Sequence, residues 1–417
     1  MMGNEIKVSV VIPVYNAAPY LRQCLDSVIG QTLREIEIIC VDDGSGDESP
    51  QILDEYRRRD DRVMILTQKN LYAGTARNNG LEHASGEYII FWDADDYFAP
   101  EALELMYGRA KETQADLCVC NAQNFDSQTG TFLAHSYVRK PYPETDVFSI
   151  NDCKYRIYTF TSTVAWNKLV RRQFMLDENI RFQTQQHIND VLASLLILSL
   201  AKRITICNRR LIFYRMNRKD SLMSSYGEKL DSVMTAYEET QRQLSERGLL
   251  DDPEIRQSIT DKAVGVYFFT MPYVDNYGQY LEYFARMTSG DEFLKMGEAN
   301  INGNVNMERY LEMRKMKPED FLFSEYRRLT QLCDEQKQKS SAMKKERDRA
   351  IKRQAAIEAS VKETKSFQEE VKKMDEKYRK LCAQQQKKLD EQEKILSLKS
   401  VRAGRCLSRF CGRFRHR

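Results

Sequence analysis

The 417-residue sequence has no GxGxxG turn after its first apolar segment and no Walker loop, which excludes a dinucleotide fingerprint or a P-loop there. Its ten cysteines are scattered, without a CxxC pair or zinc-ligand spacing. Buried reduced thiols are therefore expected, and with them a reducing compartment. No basic n-region, apolar h-region and cleavage site stand at the N-terminus, where Lys7 to Val14 already reads as a core strand, so export is not expected. The longest strongly apolar stretch, Val191 to Ala201, is well short of the ~20 residues a membrane-spanning helix needs, and any membrane contact is expected to be peripheral. Glycine and proline are missing from all 85 residues between Glu319 and Ala403, a run rich in Lys, Glu, Gln and Arg that reads as long helix.

What is present divides the chain. Hydrophobic residues at 42% and aromatic residues at 10% suffice for a core, and the length suggests two or three structural units. Charged residues reach 30%, above the ~25% usual in globular domains. The excess is explained by the C-terminal end: residues 341–417 carry 23 Lys+Arg against 11 Asp+Glu, which leaves the first 340 residues net acidic by nine. An acidic body offers no broad cationic surface, so nucleic acid is not an expected partner.

Over the first 200 residues, β and α patterns alternate. Lys7 to Val14 is continuously apolar and β-branched, as a strand covered on both faces should be. Leu21, Leu25, Val28 and Ile29 recur at helical spacing. Strand patterns return at Glu35 to Val41, Arg62 to Leu66, Glu87 to Trp92 and Asp116 to Cys120; helices are expected from Ser49-Pro50, over Ala73 to Ala84, and from near Pro100. This alternation implies an α/β fold around a mostly parallel, doubly wound sheet. Residues 121–185 are less regular and are expected to lie over one sheet edge. Asn189 to Ala201 reads as a buried helix, Ile204 to Tyr214 as extended, and residues 227–330 as an α-helical accessory region.

In an open parallel sheet, ligands bind beyond the carboxyl ends of the strands. Three polar segments fall there: Pro13-Val-Tyr15-Asn16, Asp42-Asp43-Gly-Ser, and Asp93-Ala-Asp95-Asp96. Paired carboxylates at a strand end can hold Mg²⁺ or Mn²⁺, whose remaining ligands are usually substrate phosphates. A lone DxD is more often an Asp-rich turn that caps a strand or helix; its place after the fourth strand, with Asp42-Asp43 on a neighbouring one, favours the metal. An aspartyl-phosphate nucleophile would want its Asp pair after the first strand. A nucleotidyltransferase would want a glycine- and base-rich loop where Pro13 to Asn16 stands.

Six ordered segments resemble family 2 glycosyltransferases of the GT-A fold: Val8 to Asn16, Leu25-Asp-Ser-Val28, Gln31-Thr32, Ile39 to Ser45, Ala76-Arg-Asn-Asn-Gly80 and Gly86 to Asp96. The resemblance runs from about Lys7 to Ser225, and a bacterial cell-surface polysaccharide setting is implied. It implies a GT-A, Rossmann-like catalytic domain over 1–226, with Pro13 and Tyr15 lining a nucleotide-base pocket and Asp43 bonding the base, usually uracil. Asp93 and Asp95 would serve the ribose and a Mn²⁺- or Mg²⁺-bound diphosphate, Asp95 being the direct metal ligand. Arg77 would either contact the nucleotide-sugar or pair with the Asp cluster. Trp166-Asn167-Lys168 and Phe213-Tyr-Arg215 resemble acceptor-side segments. The family's acidic pair, normally Glu-Asp, reads Asn189-Asp190 here, and the resemblance makes Asp190 the general base of an inverting single displacement. By pattern alone Asp190 is a helix N-cap.

The expected activity is transfer of a sugar from a nucleotide-sugar, most often UDP-linked, to a glycan or lipid-linked acceptor; the rival from another class is a catalytically idle GT-A scaffold. The accessory region is set at 227–330, a long helix at 331–400, and a basic tail at 401–417. Val371, Met374, Tyr378 and Leu381 suggest a coiled coil, hence a homo-oligomer, but Thr364, Gln385 and Lys388 interrupt the seam, so a single solvated helix stays open. The tail places Leu407, Phe410 and Phe414 on one helical face among arginines, which suits an anionic membrane surface or, equally, a solvated tail. A cytoplasmic protein at the inner face of the plasma membrane is the implied setting. His187, without a partner at ligand spacing, is read as a surface or acceptor-pocket residue, and Tyr267 to Phe269 with Tyr273 as helical core.

Overall fold

The computed structural model describes residues 5–216, 230–271, 274, 276–289, 304–361 and a scatter of residues between 376 and 391. The chain forms two compact units, residues 1–270 with 290–308, and residues 271–289 with 309–417.

The first unit is built on one sheet of nine described strands. β1 (Val8–Val14), β2 (Ile36–Asp42), β3 (Val63–Thr67) and β4 (Tyr88–Phe91) are parallel, in the order β3-β2-β1-β4. β1 is buried almost throughout because helices cover both faces, the reason its sequence is apolar without alternation. The crossovers are α1 (Ala18–Ile29), α2 (Ser49–Arg59) and α3 (Tyr72–His83). Ser49 opens α2 as expected, yet its hydroxyl accepts the Ala17 N–H at 2.9 Å and so joins α2 to the start of α1.

Beyond β4 the sheet is mixed rather than mostly parallel. After β5 (Tyr97–Phe98) and α4 (Ala102–Glu112) come β6 (Leu117–Asp126) and β7 (Thr131–Leu133). β8 (Lys168–Arg171) then lies between β4 and β6, antiparallel to both, so residues 121–185 supply an interior strand and do not merely cover an edge. β8 is only four residues long, Lys-Leu-Val-Arg directly after Trp166-Asn167, a stretch without β periodicity; tertiary pairing made it a strand. β9 (Ile204–Met216) runs parallel to β6 across register shifts beside Asn121, and its far end pairs with β5. Cys118 and Cys120 project together into the core while Val119 points away, the period of two at work. The buried thiols are pushed up by desolvation, Cys40 to about 12, so they are inert hydrophobes at neutral pH.

α5 (Arg172–Asp177) follows β8, and α6 (Val191–Leu200) is apolar all round and buried. α7 (Leu230–Glu246) and α8 (Pro253–Thr270) complete this unit's long helices. Tyr267 is core, edge-on to Tyr237 at 5.9 Å, whereas Phe269 is exposed and Tyr273 lies outside the described residues. In the second unit, Tyr280, Phe284, Met287, Tyr310, Met313 and Phe321 are buried together with the Arg309–Glu325 pair at 2.6 Å. Its helix Pro318–Val361 is 44 residues long, about 66 Å at the helical rise. The coiled-coil seam from Val371 onward, the boundary at 226 and the basic tail lie outside the described residues.

Packing of α3 on β1 requires a glycine. A Cβ at Gly80 would meet Val11 Cγ1 at 2.3 Å, whereas one at Gly108 in α4 would meet nothing within 4 Å. Gly80→Ala should therefore destabilise the protein by about 1–3 kcal/mol, while Gly108→Ala should be neutral or stabilising by about 0.5–1 kcal/mol. Urea unfolding midpoints of the two variants check the contrast.

Candidate functional site

The carboxyl ends of β1, β2 and β4 bring the polar segments together. At the end of β2, the Asp43 N–H donates to the Val14 carbonyl at 2.8 Å, and Gly44 turns the chain with φ +77°. Asp43 itself is buried; its Oδ1 accepts from Gln68 Nε2 at 2.8 Å and from the Leu71 N–H at 2.9 Å. Gln68 in turn accepts from Asn79 at 2.9 Å. The Asp43 carboxylate is thus aimed by β3 and the entry to α3. Beside it Pro13 is partly buried and Tyr15 is half exposed, an aromatic ring at the mouth of the site.

The turn after β4 gathers three carboxylates. One oxygen from each of Asp93, Asp95 and Asp96 lies within 4.8 Å of the other two. Asp96 is fully buried and faces inward, where its Oδ1 accepts the Arg215 N–H at 2.7 Å. Arg215 also donates from Nε to the Asp95 carbonyl at 2.8 Å and from its other end to Gln23, with Tyr20 under its guanidinium at 5.0 Å. Through these bonds the end of β9 fixes the acidic turn. Asp93 and Asp95 keep partly exposed surfaces. Hard carboxylate oxygens so placed suit Mg²⁺ or Mn²⁺, and of the three Asp96 is the one committed to structure.

Asp190 arrives from the other half of the unit by way of α3. Gly74, Arg77 and Asn78 share one helical face, and all three meet the segment 182–189. A Cβ at Gly74 would sit 1.9 Å from the Gln183 carbonyl oxygen. Asn78 exchanges two bonds with the Phe182 backbone, both 2.8 Å. Arg77 lies over the Phe182 ring at 5.4 Å and donates from one nitrogen to Asp93 Oδ1 and from another to Asn189 Oδ1, each at 2.7 Å. Asp190 then occupies the N-cap position of α6, but its side chain makes no cap hydrogen bond. It lies deep in the protein while keeping part of its surface open. Burial raises its pKa above that of an ordinary aspartate; Arg77 opposes the rise and Asp93 adds to it.

The acceptor-side triplet is interior. Trp166 is buried and stacks on Tyr214 at 5.5 Å. Asn167 donates to the Cys120 carbonyl and to Thr161 Oγ1, both at 3.2 Å. Lys168, 1% exposed, donates to the carbonyls of Ser162 and Val164 at 2.7 Å and to Asn167 Oδ1 at 2.9 Å, and burial lowers its pKa to about 7. The triplet is thus packed into the interior, with Lys168 near enough to Asp190 for their charges to interact. His187 is buried, not at the surface. Sequence reasoning did not single out Gln68, which lies in no motif segment, it quoted Asn79 only within Ala76 to Gly80 without a role, and it placed Arg215 in a segment without anticipating its grip on the Asp95–Asp96 turn.

The profile of the family described as Glycosyl transferase family 2 matches residues 9–173. The chain is 36% identical over 227 residues to Glycosyltransferase GlyA of Streptococcus pneumoniae, a match that covers 54% of this chain and 32% of that protein. It is 33% identical over 221 residues to Glycosyltransferase GlyG of the same organism, covering 52% of this chain and 72% of GlyG. Among solved structures, S. aureus TarS 1-349 in complex with UDP-GlcNAc aligns with a TM-score of 0.49 at 21% identity, over 73% of this chain and 92% of that one.

An aspartate whose pKa is raised by folding stabilises the folded state only at low pH, and that contribution is lost as pH rises through the unfolded and then the folded value. Asp190→Asn should therefore melt higher than the parent at pH 7 in metal-free buffer, with the gap closing as pH falls toward about 4. Thermal melts of the two proteins between pH 4 and 8 measure the gap.

Proposed function

The chain belongs to glycosyl transferase family 2, and from that premise we propose that it is an inverting, metal-dependent glycosyltransferase using a UDP-sugar. The observation that carries the proposal is the Asp93–Arg77–Asn189 connection, which brings the acidic turn and Asp190 to one place from chain segments 96 residues apart. In this reading Tyr15 and Pro13 flank the nucleobase and Asp43 accepts from it. Asp93 and Asp95 face the ribose and diphosphate and would hold Mn²⁺ or Mg²⁺, with Asp95 as the direct ligand. The ion supplies charge stabilisation for the departing nucleoside diphosphate.

Asp190 takes the proton from the acceptor hydroxyl as that oxygen attacks the anomeric carbon. A carboxylate with no cap bond to hold it, and with a raised proton affinity, is suited to this better than an ordinary aspartate would be. Arg77 donates to Asp93, and its positive charge opposes the rise in proton affinity that burial gives Asp190. Trp166, Asn167 and Lys168 shape the acceptor side from below. The acceptor is a glycan or a lipid-linked sugar. No described helix is long and apolar enough to cross a membrane; the basic tail at 401–417 is proposed as a peripheral contact with an anionic surface, and the long helix as a coiled-coil pairing element.

Two variants test the chemistry. Asp95→Ala should abolish Mn²⁺-dependent thermal stabilisation by UDP together with turnover, and full turnover in EDTA would contradict the metal. Asp190→Asn should leave UDP stabilisation intact and lower UDP release from a panel of UDP-glucose, UDP-galactose and UDP-GlcNAc by about 10²- to 10⁴-fold. Equal loss of UDP affinity and turnover would make Asp190 structural, and a parent protein that releases no UDP from any nucleotide-sugar would favour the idle scaffold.

A further inference from the structure

We infer that Asn189 is a positioning residue for Asp190, a neutral two-ended clamp that a carboxylate at the same place cannot replace. Arginine can only donate, so the oxygen of the Asn189 amide must face Arg77 and its nitrogen must face the other way. There Nδ2 points to the carbonyls of Gln185 at 3.3 Å and Gln186 at 3.5 Å, while the Asn189 carbonyl accepts from Gln183 N–H at 3.1 Å. Both Asn189 and Arg77 are buried. The segment 183–189 is therefore folded back on its own last residue, and that residue is anchored to α3. Asp190, the next residue, is left with no cap bond of its own. Its position is set by the clamp that precedes it.

The amide also matters for charge. The groups facing Asp190 are Arg77 from α3, Asp93 from the turn after β4, Lys168 from β8 and Tyr237 from α7. Arg77 hydrogen-bonds one carboxylate, Asp93, and one neutral group, Asn189, so part of its positive field remains for Asp190. An aspartate at 189 would take up that field, set a second anion beside Asp190, and turn two carbonyl oxygens toward a group that cannot donate. Asn189 touches none of the reacting groups; it acts through Asp190.

This inference rests on the assignment of Asp190 as the base, and the test separates the two. In the full-length chain, Asn189→Ala should lower Mn²⁺-supported UDP release from the same UDP-sugar panel by about tenfold or more. UDP affinity, read by thermal shift, should stay within about twofold of the parent, and the acid limb of the pH profile should not move. Asn189→Asp, nearly isosteric, should also lose turnover and in addition move the acid limb to higher pH through like-charge repulsion. Turnover of Asn189→Ala within twofold of the parent, loss of UDP affinity in step with turnover in both variants, or an Asn189→Asp limb superimposed on the parent's would overturn the clamp. Turnover that survives Asp190→Asn would instead overturn the base assignment, whatever the Asn189 variants do.

Discussion

A buried guanidinium has to be paired, and in this protein the pairing of Arg77 decides where two distant parts of the chain meet. Its side chain is 7% exposed, stacked over Phe182 and bonded at opposite ends to Asp93 and Asn189. Removing one partner of a buried charge pair typically costs about 3–5 kcal/mol, because the remaining charge is left uncompensated in a poor solvent. The low-energy arrangement is therefore the one in which the segment before α6 closes onto α3 while the turn after β4 closes onto it from the other side. Gly74 and Asn78 make that approach feasible at the backbone level, one by lacking a Cβ and the other by matching the Phe182 peptide group.

The second arginine does a different task. Arg215 holds one peptide carbonyl and the inner carboxylate of the acidic turn, so Asp96 is consumed as a structural acceptor while Asp93 and Asp95 keep partly exposed surfaces. Four carboxylates, those of Asp93, Asp95, Asp96 and Asp190, thus share a small region against two guanidinium groups. That excess of negative charge is unfavourable by itself, and a divalent cation would offset it. Stability sacrificed at a site for charge placement is the usual physical signature of a binding site.

The first half of the fold was legible because its strands are covered on both faces and their apolar runs need no pairing information: β1, β2 and β4 end within a residue or two of where the pattern breaks, and so Asp43 and Asp93 fall at strand ends. β8 was not legible. Lys168 at its start was read only as part of an acceptor-side segment, and the three acceptors around its ammonium come from chain folded about it in three dimensions. β8 brings antiparallel pairing into the middle of the sheet, and the short strands β5 and β7, equally unread in the sequence, add the other antiparallel pairs. Asp190 was ambiguous for a similar reason: a helix-start aspartate and a base have the same sequence signature, and the missing cap bond is a fact of three-dimensional geometry. Asn189 stood out only as an amide in an acidic place, since its role depends on Arg77, 112 positions earlier in the chain.

The proposed chemistry depends on where a metal ion and nucleotide settle relative to Arg77 and Asp190. Crystals of the full chain grown with UDP and Mn²⁺, with diffraction recorded at the manganese absorption edge, give that directly. The account predicts one anomalous peak bounded by Asp95 and the diphosphate, the uracil beside Asp43 and Tyr15, Arg77 still bridging Asp93 and Asn189, and the Asp190 carboxylate open to the acceptor side. Manganese bound elsewhere, UDP held without it, or Asp190 closed into a cap on α6 would contradict it.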